Sequence, residues 1–97
     1  MTKTTPFTTP YIMTYKAMIK AIPYYHTVKQ VRETMKEKAD YYTEMANSFE
    51  TAELKEWAKN VARVARAIST ECILVETIED LVLNCQIAMT RYELLLV

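Results

Sequence analysis

Lys55, Lys59, Arg63 and Arg66 follow one another at spacings of four, four and three. On a helix, at about 100° per residue, they share an arc of about 80°. Lys29, Arg32 and Lys36 draw a similar line earlier in the chain. Lines of Lys and Arg hold anions, either the phosphates of a nucleic acid or the headgroups of an anionic lipid. If the two lines face the same way, they form one patch of seven positive charges. Glu33, Glu37 and Glu56 stand beside them, and the plainer alternative is a pair of solvated helix faces. No helix-turn-helix, zinc-finger or other nucleic-acid signature accompanies the cations.

The other candidate chemistry is sparse. His26 is the lone histidine, and one histidine without sequence context does not make a nucleophilic triad. The run His26-Thr27-Val28-Lys29 resembles the HxxK core of histidine phosphotransfer domains, helical bundles of about this size. That resemblance implies a bundle in which His26 carries a phosphoryl group. In the family a small residue, usually Gly, follows the Lys, and the His sits in mid-helix. Here Gln30 follows, and His26 lies three residues after Pro23. Glu76, Glu79 and Asp80 share one helical side and have the spacing of a cation site, but the Glu-x-x-His partner of di-metal bundles is missing. Arg63 and Arg66 lie opposite the apolar positions of their own helix, so they do not converge inside a bundle as arginines of a chorismate-mutase-like enzyme must. The paired tyrosines, Tyr24-Tyr25 and Tyr41-Tyr42, suit cores and interfaces, where a ring buries area and keeps a polar tip.

Composition narrows the scaffold that must position these groups. The 97 residues fit one domain. An apolar share of 51% with 25% charged residues is that of a globular chain rather than a disordered one. The chain has no Gly, against an average usage of about 7%. Tight hairpins, bulges and Gly-rich phosphate loops all lean on Gly, so an all-α fold follows, and a P-loop or dinucleotide fingerprint does not. Formal charge is zero overall but unevenly placed. Residues 1–70 carry eleven Lys/Arg against seven Asp/Glu, and residues 71–97 carry Arg91 against five acids. With no CxxC, Cys72 and Cys85 read as buried thiols in a reducing compartment; on one continuous helix they would lie about 20 Å apart, too far to bridge. The absence of an apolar leader and of a membrane-length apolar run makes a cytoplasmic location the default expectation.

The expected elements are a flexible tail over residues 1–9 and a single helical domain over 10–97. A first helix spans about 10–22, with Thr9 and Pro10 as its start signal and Pro23 as its interruption. A second spans about 24–47, with Val28, Val31, Met35, Ala39, Tyr42, Met45 and Ala46 on its apolar face. Residues 51–97 contain neither Gly nor Pro and read as a third helix, started by Ser48 or Thr51. Leu54, Ala58, Val61, Ala65, Ile68, Cys72 and Val75 alternate by four and three. Leu74, Ile78, Leu81, Cys85, Ala88, Tyr92 and Leu95 repeat that rhythm in a shifted register. The shift is either a stammer in one helix of about 70 Å or a break at 69–77 with Thr77 as a new N-cap.

The expected architecture is thus an antiparallel helical bundle or a long helical hairpin, completed by oligomerisation, with a dimer favoured. The second heptad series, Leu74 to Leu95, is the expected oligomer interface. The expected function is a small, non-enzymatic interaction and assembly protein, without cofactor or metal, that homo-oligomerises and docks another macromolecule, an unidentified protein. Nucleic acid is the alternative partner, held by Lys29, Arg32, Lys36, Lys55, Lys59, Arg63 and Arg66. A histidine phosphotransfer-like bundle is the third reading.

Overall fold

A computed structural model describes residues 9–95 as four α-helices, with no strand among the described residues. Helix α1 spans Thr9–Ala21, α2 spans Val28–Ser48, α3 spans Ala52–Glu71 and α4 spans Ile78–Leu95. The expected tail falls on residues 1–8, outside the described residues; Thr9 already belongs to α1. No described helix is long and apolar enough to cross a membrane.

Each junction has a local chemical cause. Helix α1 ends at Ala21, and Pro23 sits in the first positions of a single 3-10 turn, Ile22–Tyr24. The backbone N–H of Tyr25 closes that turn on the Ile22 carbonyl at 3.1 Å. The second helix begins at Val28, later than the sequence pattern suggests, because Thr27 caps it. Thr27 is extended (φ −136°, ψ 154°), and its hydroxyl accepts from the N–H of Gln30 at 3.1 Å. Gln30 returns the favour through its side-chain oxygen, which accepts from the N–H of His26 at 3.0 Å. This is the logic of a capping box, shifted by one residue on its return arm.

A three-residue loop, Phe49 to Thr51, joins α2 to α3 as an antiparallel hairpin. Thr51 is the cap, accepting from the N–H of Leu54 at 3.4 Å. Ser48 is not: it is the last residue of α2, and its hydroxyl donates back to the Met45 carbonyl.

The single 51–97 helix is not formed. The chain breaks within the expected window, through a 3-10 turn at Cys72–Leu74 and an extended Val75. Helix α4 then starts behind Thr77, whose hydroxyl accepts from the N–H of Asp80 at 3.1 Å. Glu79 and Asp80 occupy its first turn, where the helix dipole favours negative charge.

Helix α3 packs against each of the other three helices. Its small residues Ala58, Ala62 and Ala65 are buried, as are Ala39 and Ala46 on α2, so these two helices approach closely. Helices α1 and α4 run antiparallel to one another, with Tyr11 beside Tyr92 (ring centroids 5.8 Å apart) and Lys16 paired to Glu93 at 3.4 Å. Together they cover one side of the α2–α3 layer. The main core gathers Tyr15, Ile19 and Ile22 from α1 and its turn, Val31 and Met35 from α2, Val64 and Ile68 from α3, and Leu81 and Cys85 from α4. The envelope of 39 × 33 × 18 Å is thin enough for two helix layers about 9 Å apart.

Candidate anion-binding face

The cations lie along one side of the α2–α3 hairpin, with half-buried Arg63 near enough to α1 for its charge to act on the Tyr11 hydroxyl. Lys29, Arg32, Lys36, Asp40, Thr43 and Asn47 lie within an arc of about 80° on α2. Lys55, Lys59, Arg63, Arg66 and Thr70 fill an equal arc on α3. Antiparallel pairing turns the two arcs to the same side, where they border two adjoining hollows. Lys36, Ala39 and Asp40 face Arg66, Ser69 and Thr70 across the first. Thr43, Ala46 and Asn47 face Lys59, Ala62, Arg63 and Arg66 across the second.

Arg66 belongs to both hollows and bridges the helices, donating from its Nη2 to the Thr43 hydroxyl at 2.8 Å. Four of the seven predicted cations, Lys36, Lys59, Arg63 and Arg66, therefore line one groove. Lys29, Arg32 and Lys55 lie on the same arcs without lining it. Arg32 is exposed near the end of α3, close enough for its charge to act on the Cys72 thiol. Lys29 and Lys55 mark opposite ends of a strip about 30 Å long. None of the seven is ion-paired within 4.0 Å among the described residues. Asp40 is the carboxylate inside the groove, and exposed Glu33, Glu37 and Glu56 flank it. The polar groups Thr43, Asn47, Ser69 and Thr70 add hydrogen-bonding capacity between the cations. Sequence reasoning passed over them, although Thr43 and Asn47 simply continue the arc of Lys29, Arg32 and Lys36.

The predicted oligomer interface has a different fate. Leu81 and Cys85 are fully buried in the chain's own core, with Ile78 and Tyr92 packed against it. Helix α1 of the same chain occupies that seam: the ring of Tyr15 stands 6.0 Å from that of Tyr92 and that of Tyr11 5.8 Å. Ala88 is half-buried, and Leu74 lies in the turn before α4 with 70% of its surface exposed. The side chain of Leu95 is outside the described residues. For Ile78, Leu81, Cys85 and Tyr92 the heptad rhythm is thus satisfied within the chain, by an antiparallel helix of the same chain.

The remaining candidates are placed as follows. His26 precedes α2 and its cap, exposed between two shallow hollows, one lined by Glu33 and Glu37, the other by Glu76 and Glu79. It is therefore not in the mid-helix position of the phosphotransfer family, and Gln30 serves the helix cap. Tyr41, Tyr42 and Trp57 form an edge-to-face cluster on another flank of the hairpin, with centroids 5.2 and 5.4 Å apart. Trp57 and the neighbouring Leu54 remain exposed.

The cysteines are core groups. Burial pushes the Cys72 thiol up to about 11, despite the charge of Arg32, and the Cys85 thiol up to about 12, despite the Tyr15 hydroxyl beside it. Both stay protonated near neutral pH and are poor nucleophiles. Because the helix breaks between them, both belong to one cluster rather than to distant turns of a single helix. Burial likewise raises the Tyr11 hydroxyl to about 12 and raises that of Tyr15 further still.

Compared with known protein families, curated proteins and solved structures, the chain matches none.

Proposed function

We propose that the protein is a small helical assembly protein, which self-associates and docks another macromolecule across the cationic α2–α3 face. The observation that carries this reading is the groove itself: four cations from two helices converge on it without an ion-pair partner among the described residues. Charges held this way favour an acidic surface on the partner, which steers encounter and sets orientation. The reading contains no catalytic step. The favoured partner is a protein with an acidic patch.

Cross-linking capture from an extract of the native host, with wild type and a Lys59→Glu/Arg66→Glu variant side by side, tests it. The expected result is a partner retained by wild type at low salt and lost with the variant. Equal capture by both would remove the cationic face from the reading.

Thr43, Asn47, Ser69 and Thr70 between the cations favour a second reading, docking of a nucleic-acid backbone, because such side chains commonly bond phosphate oxygens. A low-salt mobility shift with duplex DNA and single-stranded RNA separates the two. A shift that Lys59→Glu/Arg63→Glu abolishes supports the second reading, and the absence of a shift rejects it.

A further inference from the structure

Helix α4 has two apolar faces, and the fold uses one of them. Leu81 and Cys85 enter the core, while Leu83, Ile87 and Leu94 lie on the outward side with 54%, 45% and 68% of their surfaces exposed. At about 100° per residue these three fall within about 40° of one another. Polar residues bound this stripe in a definite order. Glu79 and Asp80 stand at its N-terminal end, and Arg91 near its C-terminal end, all exposed and none ion-paired within 4.0 Å among the described residues. Glu71 borders the same shallow hollow as Ile87 and Arg91.

We propose that the outward face of α4 seats a second copy of this chain, packed antiparallel through α4 itself. The inference rests on the self-association half of the reading above and names its surface. The charge order selects this occupant and this direction. With the two-fold axis between Leu83 and Ile87, Leu83 meets Ile87 of the second copy. The same register brings Arg91 level with Glu79 of the second copy and beside its Asp80, which lies on the same flank of the seam, twice over by symmetry. A parallel pair would instead set Arg91 against Arg91 and acid against acid. An 18-residue helix provides about 27 Å of seam, which places the contact at the small end of specific interfaces and makes the dimer a reversible one. The cationic groove lies on α2 and α3, so the two docking surfaces are separate.

Sedimentation equilibrium on the full chain at concentrations up to about 200 µM tests this, a range in which a contact of micromolar affinity is populated. Wild type is expected to reach a closed dimer. Leu83→Lys with Ile87→Lys, both at exposed helical positions, is expected to remain monomeric with unchanged helical circular dichroism. Arg91→Glu is expected to weaken the dimer at least fivefold, and adding Glu79→Arg and Asp80→Arg to restore it. A Lys59→Glu/Arg66→Glu chain should dimerise like wild type. A monomer throughout, growth beyond a dimer, or a dimer indifferent to Leu83→Lys/Ile87→Lys overturns the proposal. A dimer indifferent to Leu83→Lys/Ile87→Lys overturns this surface alone, whereas a monomer that still captures an acidic partner removes self-association as well and leaves the docking half standing.

Discussion

Arg66 and Thr43, twenty-three residues apart in sequence, are joined by a 2.8 Å hydrogen bond across the α2–α3 groove. Thr43 is held in turn, because its hydroxyl donates to the Ala39 carbonyl at 2.6 Å. The relay fixes one guanidinium of the cationic face in the middle of the groove.

This bond is exposed, so its removal should cost little stability. Thr43→Ala is expected to destabilise by no more than about 1 kcal/mol, measured by urea unfolding. Its larger effect should be on binding. Arg66 would then have to be ordered by the partner, and affinity for an acidic partner should fall severalfold in titration. Affinity unchanged by Thr43→Ala would show that the relay does not prepare the groove.

The three threonine caps should rank by geometry. Thr27→Ala removes a 3.1 Å bond and disrupts the reciprocal Gln30 arm, and should cost about 1 kcal/mol. Thr77→Ala removes an equal bond at the start of α4 and should cost a similar ~1 kcal/mol. Thr51→Ala breaks a longer bond, 3.4 Å, and should cost less than either. Chemical denaturation of the three variants checks the order.

Two leucines two residues apart on α4 test which face is core. Leu81 is fully buried, so Leu81→Ala should cost about 2–5 kcal/mol. Leu83 is 54% exposed, and Leu83→Ala should change the stability of the dilute monomer by no more than ~0.5 kcal/mol. Comparable losses at the two positions would contradict the assignment of faces.

Alkaline pH should unfold the protein through its buried weak acids. Burial raises Tyr11, Tyr15, Cys72 and Cys85, so the unfolded chain gives up these protons at lower pH than the folded chain. Between those two ranges the folded state binds more protons, and stability falls as pH rises. The contribution is fully present below the ordinary thiol value of 9.0 and is lost as pH climbs towards the folded thiol values of about 11 and 12. Thermal melts from neutral to strongly alkaline pH should show that fall. Cys72→Ala should make it shallower.

The helical class was legible in a Gly-free composition, because it excludes the usual means of turning strands. The break of the first helix was legible in Pro23, although the helix ends at Ala21 rather than at Ile22, and the Thr51 and Thr77 starts in their side chains, since capping is decided within four residues of chain. The Thr27-to-Gln30 cap was equally local and equally readable, and the expected start at residue 24 overlooked it. Each cationic arc followed from spacing alone, because helical periodicity is a property of one segment.

Tertiary structure alone decided how the segments use those faces. Both stripes of α4, Leu81 with Cys85 and Leu83 with Ile87, carry apolar residues four apart, and nothing local ranks one above the other. The choice was made by α1, whose tyrosines fill the space beside Leu81 and Cys85 and leave Leu83 and Ile87 outside. Likewise, the approach of Lys36 to Arg66 depends on the hairpin register, set by close packing of Ala39 and Ala46 with the alanines of α3. Sequence determined what each helix could offer. Packing among distant segments determined which offers were taken up, because burying one face of a helix is a contact between surfaces that no short stretch contains.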